Sequence, residues 1–246
     1  MYILSIETTG RYGSAALIYS DGGISSKNSH EEMNHLKDIM LLADECLKAE
    51  GIGTNSIDAV AASIGPGSFT GIRIGVSTAR GIAEMLNIPC ISISSLEGMA
   101  ALADAHMGEE VRFFAPIINA RRGQLYGALF ERDGARYNAV LSERQYMIDE
   151  FLEELNKIYS EDKQIIFVGD GIDAYEDKIR EAGLYRLADE EWRYQDASSV
   201  AALALQKYKS NNIITYDELL PNYMRKSEAE MRLESGTLSS KIGKLR

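Results

Sequence analysis

The sequence predicts an α/β fold built from two related domains in tandem. Short apolar runs that end in glycine-containing turns alternate with helical patterns along the chain. The first half reads β-β-β-α-β-α-β-α, and the second half repeats much of that order. A chain of 246 residues is also long enough for two such domains, each with its own apolar core.

The first half begins with a three-stranded pattern. Two strand-like runs cover residues 2–8 and 13–19, and Asp21-Gly22-Gly23 predicts a hairpin into a third strand. Apolar residues at intervals of three or four then predict an amphipathic helix from about 30 to 50. The remaining elements are a strand, a helix, a strand and a helix, predicted over 57–64, 69–86, 89–94 and from Ser94 or Ser95 onwards.

The second half resembles the first in sequence as well as in order. With a shift of 112 residues, five residues of the first hairpin coincide with identical residues, and they are Ile6, Ala16, Leu17, Asp21 and Gly22 against Ile118, Ala128, Leu129, Asp133 and Gly134. Helical patterns follow over about 145–159 and 197–208. Two ribonuclease-H-like domains in tandem describe the actin, hexokinase and Hsp70 (ASKHA) architecture. We predict domains over 1–108 and 109–210, followed by a C-terminal segment over 211–246.

Composition and charge exclude several classes of protein. There are 37 acidic and 26 basic residues, so we expect the net charge of −11 to repel nucleic acid unless a basic patch or a partner intervenes. The longest uncharged run, 59–72, is too short to span a bilayer. The N-terminus has a strand pattern and lacks the basic region of a signal peptide, which favours a cytoplasmic protein. We expect Cys46 and Cys90 to be packed thiols.

The segment Gly65–Gly75 joins a strand to a helix and has two interpretations. A glycine-rich turn at a helix N-terminus offers backbone N–H groups to an anion, although no Walker lysine follows. Alternatively, the small residues that recur every fourth position form a helix ridge for close packing, and they are Gly71, Gly75, Ala79 and Ala83. We favour packing, but the spacing does not say whether the ridge packs in this chain or on a partner.

Three residues are candidates for a nucleotide site in the inter-domain cleft. Glu7 ends the first strand beside Thr8, where an acid either binds a phosphate or metal-bound water, or is simply solvated. Arg121 lies in the matching hairpin and either clamps an anion or pairs with an acid at the domain interface. His30 and His35 are about 140° apart on a helix, so they predict no zinc site.

Five segments, in order along the chain, carry a resemblance to a known family: 5–8, 65–75, 120–126, 169–171, and 221–225 with 228–230. Together they resemble the TsaB (YeaZ) family, which are bacterial subunits for tRNA threonylcarbamoyladenosine biosynthesis. The resemblance implies the actin-like fold and a role in attaching a threonylcarbamoyl group to the adenosine next to the anticodon of ANN-decoding tRNAs.

The same resemblance implies a subunit without catalytic residues or metal ligands. The catalytic relative, TsaD, carries His-Leu-Glu-Gly-His where this chain has Ser95-Leu96-Glu97-Gly98-Met99. A hydroxyl and a thioether do not replace two imidazole ligands, so the glycoprotease name of the wider family does not transfer. ATP is used by the complex, and this chain is assigned no cofactor beyond weak nucleotide binding. The alternative is a small-molecule kinase or ATPase of the actin-like superfamily that uses Glu7.

The resemblance also implies partners. TsaD pairs with this chain through the helices at about 30–50 and 69–86, and a second copy of this chain replaces TsaD when TsaD is absent. TsaE joins the complex. The tRNA is bound only through the complex, and no membrane is involved. The implied partner-binding residues are Met33, Leu36, Met40, Gly71, Ile72, Gly75, Val76 and Ala79. We expect a bulky residue at Gly75 or Ala79 to weaken pairing and to leave the fold mostly intact.

The last 22 residues differ from the rest in charge. Residues 225–246 carry six basic and three acidic residues, which leaves −14 on residues 1–224. A solvated chain end and an RNA contact are both open for this tail.

Overall fold

The computed structural model describes residues 1–108, 111–158, 164–183 and 185–224. Its first sheet has five strands in the order β3-β2-β1-β4-β5. The elements of this half are β1 (Tyr2–Glu7), β2 (Ser14–Tyr19), β3 (Ile24–Asn28), α1 (His35–Ala49), β4 (Ala59–Ser63), α2 (Phe69–Leu86), β5 (Cys90–Ile93) and α3 (Ser95–Met107).

The second sheet also has five strands, in the order β10-β9-β6-β7-β8. Its elements are β6 (Phe113–Arg121), β7 (Gln124–Asp133), β8 (Arg136–Met147), α4 (Ile148–Ile158), β9 (Ile165–Val168), α5 (Gly171–Ala182), β10 (Arg186–Leu187) and α6 (Ala197–Lys209).

The two sheets have the same topology, which confirms the predicted duplication. In each, three consecutive strands pair antiparallel, and two further strands are added in parallel beside the first. Reading the second sheet from its other edge matches β6 with β1, β7 with β2 and β9 with β4. The ends of β1 and β6 therefore occupy equivalent places, where the two hairpin turns follow.

The helices form layers with the sheets, and two of them cross from one half to the other. Helices α1 and α2 cover one face of the first sheet, and α6 packs on its other face against β1 and β2. Helix α3 follows the first sheet in the chain but packs against β6 and against α6. The domain boundary near residue 108 stays a prediction, and Glu109 and Glu110 lie outside the described residues.

Burial on both faces explains the composition of β1. Ile3 belongs to the core beneath α6, whereas Leu4 and Ile6 belong to the core beneath α1 and α2. A strand covered on both sides reads as a continuous apolar run rather than an alternating one. Cys46 and Cys90 are free thiols buried in the core beneath α1 and α2, as expected. Burial raises the pKa of each thiol to about 11.

Two predicted helix boundaries are wrong for local reasons. Helix α1 begins at His35 and not near residue 30, because the chain before it turns through Met33, whose φ is +56°. The predicted helix over 145–159 begins only at Ile148, since β8 continues to Met147 and pairs with Gln124. The start of α3 is as predicted, and the Ser94 hydroxyl caps it by accepting from the Leu96 N–H at 3.2 Å.

No helix among the described residues is long and apolar enough to cross a membrane. The basic tail, 225–246, lies outside those residues. It includes Arg225 and residues 228–230 of the family-like segments.

Candidate functional site

Helix α1 carries an exposed apolar surface, which we call the α1 apolar face. Its members are exposed by between 54% and 77%, and they are Met33, Leu36, Met40 and Leu41. Other positions of the same helix supply the core, and they are Ile39, Leu42, Ala43, Cys46 and Leu47. Single exposed apolar residues are common on any protein, but these four lie within residues 33–41 and together form an exposed apolar patch. Sequence reasoning named three of the four and missed Leu41.

The hairpin turn after β1 holds the start of this face in place. The Met33 N–H donates to the carbonyl oxygen of Arg11 at 3.0 Å, and the imidazole of buried His35 lies 3.1 Å from the carbonyl oxygen of Gly10. Met33 is thereby fixed in the left-handed conformation that ends the turn and begins α1. These contacts hold the N-terminal end of the α1 apolar face against the turn after β1.

The small-residue ridge of α2 packs inside this chain, which corrects its assignment to a partner surface. Gly71 and Gly75 face the end of β1, where a Cβ on either would overlap an oxygen of Thr8. The other members of the predicted set are buried within the same core, and they are Ile72, Val76 and Ala79. None of these five side-chain positions is available to a partner, because the first sheet already covers them.

Glu7 and Thr8 are buried, contrary to the expectation of groups that face an open cleft. The Glu7 carboxylate accepts from the Thr9 hydroxyl at 2.6 Å, and the Thr8 hydroxyl donates to the carbonyl oxygen of Gly71 at 2.7 Å. Burial raises the pKa of Glu7, although the hydrogen bonds from Thr9 oppose this. The two residues fix the turn after β1 against α2, and neither presents a free ligand atom to solvent.

Arg121 stands at the turn between β6 and β7 and is exposed. It forms no ion pair within the part of the chain that the structure describes, so the predicted pairing with an acid at the domain interface is not observed, and the anion-clamping role stays a prediction. Several cations bridge the two halves; one of them is Arg11, whose guanidinium lies 3.5 Å from Asp173 Oδ2 and 3.4 Å from the Tyr194 hydroxyl. Sequence reasoning missed this bridge because its partners lie more than 160 residues away.

A pocket of about 620 Å³ opens beside the bridge, between the β2–β3 hairpin and the segment before α6. Its walls include Tyr12, Asn28, Asp196 and a parallel stack of His106 on Trp192, with ring centroids 4.8 Å apart. Neither Glu7 nor Arg121 lines it. No pattern in the sequence indicates this pocket, since its walls come from segments far apart in the chain.

The two positions that the family resemblance matches to implied metal ligands are occupied by packed side chains, Ser95 and Met99. Ser95 and Met99 are each 1% exposed, and the Ser95 hydroxyl lies 2.9 Å from that of Thr9. Met99 belongs to the core of the second sheet. Within the described ranges no three His, Cys, Asp or Glu side chains lie close enough together to hold a metal ion.

The family-like segment that ends the described chain packs against the glycine-rich turn and α2. The Asn222 N–H donates to the carbonyl oxygen of Ile64 at 2.8 Å, and the Tyr223 ring lies 4.6 Å from that of Phe69. Arg73 covers both rings and donates to the Tyr223 hydroxyl at 2.9 Å. The described chain therefore ends beside the first turn of α2.

Asp170 lies just before α5 and accepts a hydrogen bond from the Asn119 N–H, and its burial can be tested by varying the pH. Burial raises its pKa to about 6 from an ordinary value of 3.8, so the folded state holds the proton more tightly than the unfolded state does. The neutral form thus contributes stability at low pH that is lost as the pH rises through about 6. We expect Asp170→Asn, which keeps an acceptor for the Asn119 N–H, to be more stable than wild type at pH 8 by up to about 3 kcal/mol and similar to it at pH 4.

Urea unfolding at the two pH values measures this difference. Asp189→Asn, a change at an exposed aspartate, is the control and should differ from wild type equally at both. If Asp170→Asn is no more stable than wild type at pH 8, burial does not raise the pKa of Asp170 in the folded protein.

The fold and the comparisons with known proteins define the class. A family model described as TsaD, tRNA N6-adenosine threonylcarbamoyltransferase, matches residues 15–233. The structure of YeaZ from Pseudomonas aeruginosa superposes with a TM-score of 0.77 over 90% of this chain and 99% of that one, at 21% identity. The chain is thus an actin-like protein of the TsaD-related class, and the tandem fold predicted from the repeat is confirmed.

Relatives over the full length narrow this class. The tRNA threonylcarbamoyladenosine biosynthesis protein TsaB of Escherichia coli (strain K12) is 31% identical over 242 residues, which cover 95% of this chain and 98% of that protein. TsaB of Bacillus subtilis (strain 168) is 28% identical over 94% of this chain and 97% of that protein. This chain belongs to the TsaB (YeaZ) family, as its motifs predicted, and acts in tRNA threonylcarbamoyladenosine biosynthesis.

Proposed function

We propose that this chain is a non-catalytic subunit that pairs with TsaD and supports threonylcarbamoylation of the adenosine next to the anticodon in ANN-decoding tRNAs. TsaE joins this pair, tRNA binds through the complex, and the complex works in the cytoplasm. The observation that carries the proposal is the α1 apolar face, which the described residues leave uncovered.

The geometry of α1 and α2 supports a helical docking mode. The two helices lie side by side on one face of the first sheet and are in contact with each other. Beyond the α1 apolar face, Met85 is 70% exposed in the last turn of α2, where Gly81 also faces open space. A partner helix laid along this pair would bury the exposed apolar side chains, which is the usual driving force of such an interface. The same surface serves a second copy of this chain when TsaD is absent.

The packing of Ser95 and Met99 supports a role without catalysis. Their side chains lie in the protein interior, and one of them is already hydrogen-bonded. The buried, hydrogen-bonded carboxylate of Glu7 likewise gives no support to the alternative of a kinase that uses it. The contribution of this chain is therefore to hold TsaD in a competent state rather than to react.

Reconstitution of the tRNA modification tests the proposal. We expect TsaD, TsaE, the threonylcarbamoyl-adenylate synthase, threonine, bicarbonate and ATP to give multiple turnovers only when this chain is added. Adding Glu7→Gln, which removes the one carboxylate proposed for phosphate chemistry, should restore turnover as wild type does once folding is verified. Equal product formation without this chain would refute the proposal, and loss of turnover in folded Glu7→Gln would favour the kinase alternative.

A further inference from the structure

The turn between β6 and β7 is strained in an unusual way. Three successive residues, Arg121, Arg122 and Gly123, have φ values of +65°, +55° and +76°. Glycine adopts this left-handed conformation freely, but a side chain disfavours it, and asparagine or aspartate is the common substitute. Two arginines are therefore a poor choice for forming this turn, and such strain is often retained where a residue has a function.

Hydrogen bonds from both sides hold the turn in place. The Arg121 N–H donates to Asn119 Oδ1 at 2.8 Å, and the Asn119 N–H donates in turn to Asp170 Oδ1 at 3.1 Å. On the other side, the Ile148 N–H donates to the carbonyl oxygen of Gly123 at 3.0 Å. The backbone of the two arginines is thus fixed to β6, α4 and the start of α5.

The two guanidinium groups are exposed and carry uncompensated charge. Neither forms an ion pair with an acid among the described residues, and three acids of the neighbouring elements are already paired with other cations. These pairs are Asp149 with Lys178, Glu150 with Arg144, and Asp173 with Arg193, at distances of 2.6 to 2.9 Å. On a chain with a net charge of −11, two adjacent cations without ion pairs among the described residues form a local cluster of positive charge on this turn.

We propose that Arg121 and Arg122 contact backbone phosphates of the tRNA in the assembled complex. Guanidinium groups bind phosphate oxygens in a bidentate manner, and a protruding turn reaches a polymer backbone without needing an enclosed pocket. A free nucleotide is less suited to this place, because neither arginine lines the pocket beside the Arg11 bridge. The inference rests on the proposed function, since this acidic chain meets tRNA only in that complex.

The test compares complexes of TsaD and TsaE with this chain, either wild type or Arg121→Gln with Arg122→Gln. Affinity for an ANN-decoding tRNA is measured against salt concentration. Loss of two phosphate contacts should weaken binding by about tenfold near 0.1 M salt and should reduce the slope of log K against log salt by about 1.5. Arg136→Gln is the matched control, because it removes an exposed arginine from the hairpin at the opposite end of β7.

The outcomes separate this inference from the function on which it rests. Pairing with TsaD, measured by size-exclusion chromatography, should be the same for all variants. If the double variant pairs normally but keeps the wild-type affinity and salt slope, the inference is wrong and the proposed function stands. If it instead loses binding of ADP or ATP while tRNA binding is unchanged, the phosphate belongs to a nucleotide and the inference is also wrong. If the wild-type chain does not pair with TsaD, the proposed function fails and the inference fails with it.

Discussion

Gly71→Ala is expected to lower the free energy of unfolding by about 3 kcal/mol or more. A Cβ at this position would overlap the carbonyl oxygen of Thr8, which is backbone and cannot rotate away. Relief requires α2 to move off the end of β1, and that movement also breaks the hydrogen bond from the Thr8 hydroxyl to Gly71. Equilibrium unfolding in urea measures the change.

Gly81→Ala is the control on the same helix. Gly81 is exposed, and a Cβ there meets nothing within 4 Å, so alanine should stabilise the helix by up to about 1 kcal/mol. Equal effects at the two glycines would contradict the packing of α2 described above. The same reasoning corrects the expectation for a bulky residue at Gly75, which should damage the fold before it affects any partner.

Leu36→Glu combined with Met40→Glu is expected to weaken pairing with TsaD by roughly 100-fold or more. Both side chains are more than half exposed in the free chain, so the fold does not depend on them, but a partner that covers them must bury two carboxylates. Titration of labelled TsaD measures the affinity, and urea unfolding verifies that the stability of the variant stays within about 0.5 kcal/mol of wild type.

Val140→Glu is the control for the effect of an added carboxylate on pairing with TsaD. Val140 is also an exposed apolar residue, but it lies on β8 of the second sheet, so pairing should be unchanged. Undiminished pairing by the double variant would show that TsaD binds elsewhere. Loss of pairing by Val140→Glu to the same extent would show that the added charge acts without regard to place.

The sequence was most informative about features that depend on interactions between neighbouring residues in the chain. Hairpin turns, the period of α2 and the cap of α3 follow from neighbouring residues, and all were placed correctly. The repeat predicted that the two sheets share one topology, because identical residues at a constant shift require equivalent strands. The family resemblance named Met33, Leu36 and Met40 as partner-binding residues, although the sequence could not show that they are exposed.

The tertiary structure decided which surfaces are free. The ridge from Gly71 to Ala79 predicts a close contact on spacing alone, but only the position of β1 shows that this contact lies inside the chain. Glu7 ends its strand as predicted, yet burial by segments far away in the chain turns a candidate ligand into a structural group. The sequence by itself therefore determined the family, the duplication and most elements, because each is read from residue types and their spacing along the chain. Exposure, charge pairing and the strained arginine turn depend on segments that meet only after folding, so only the structure could assign them.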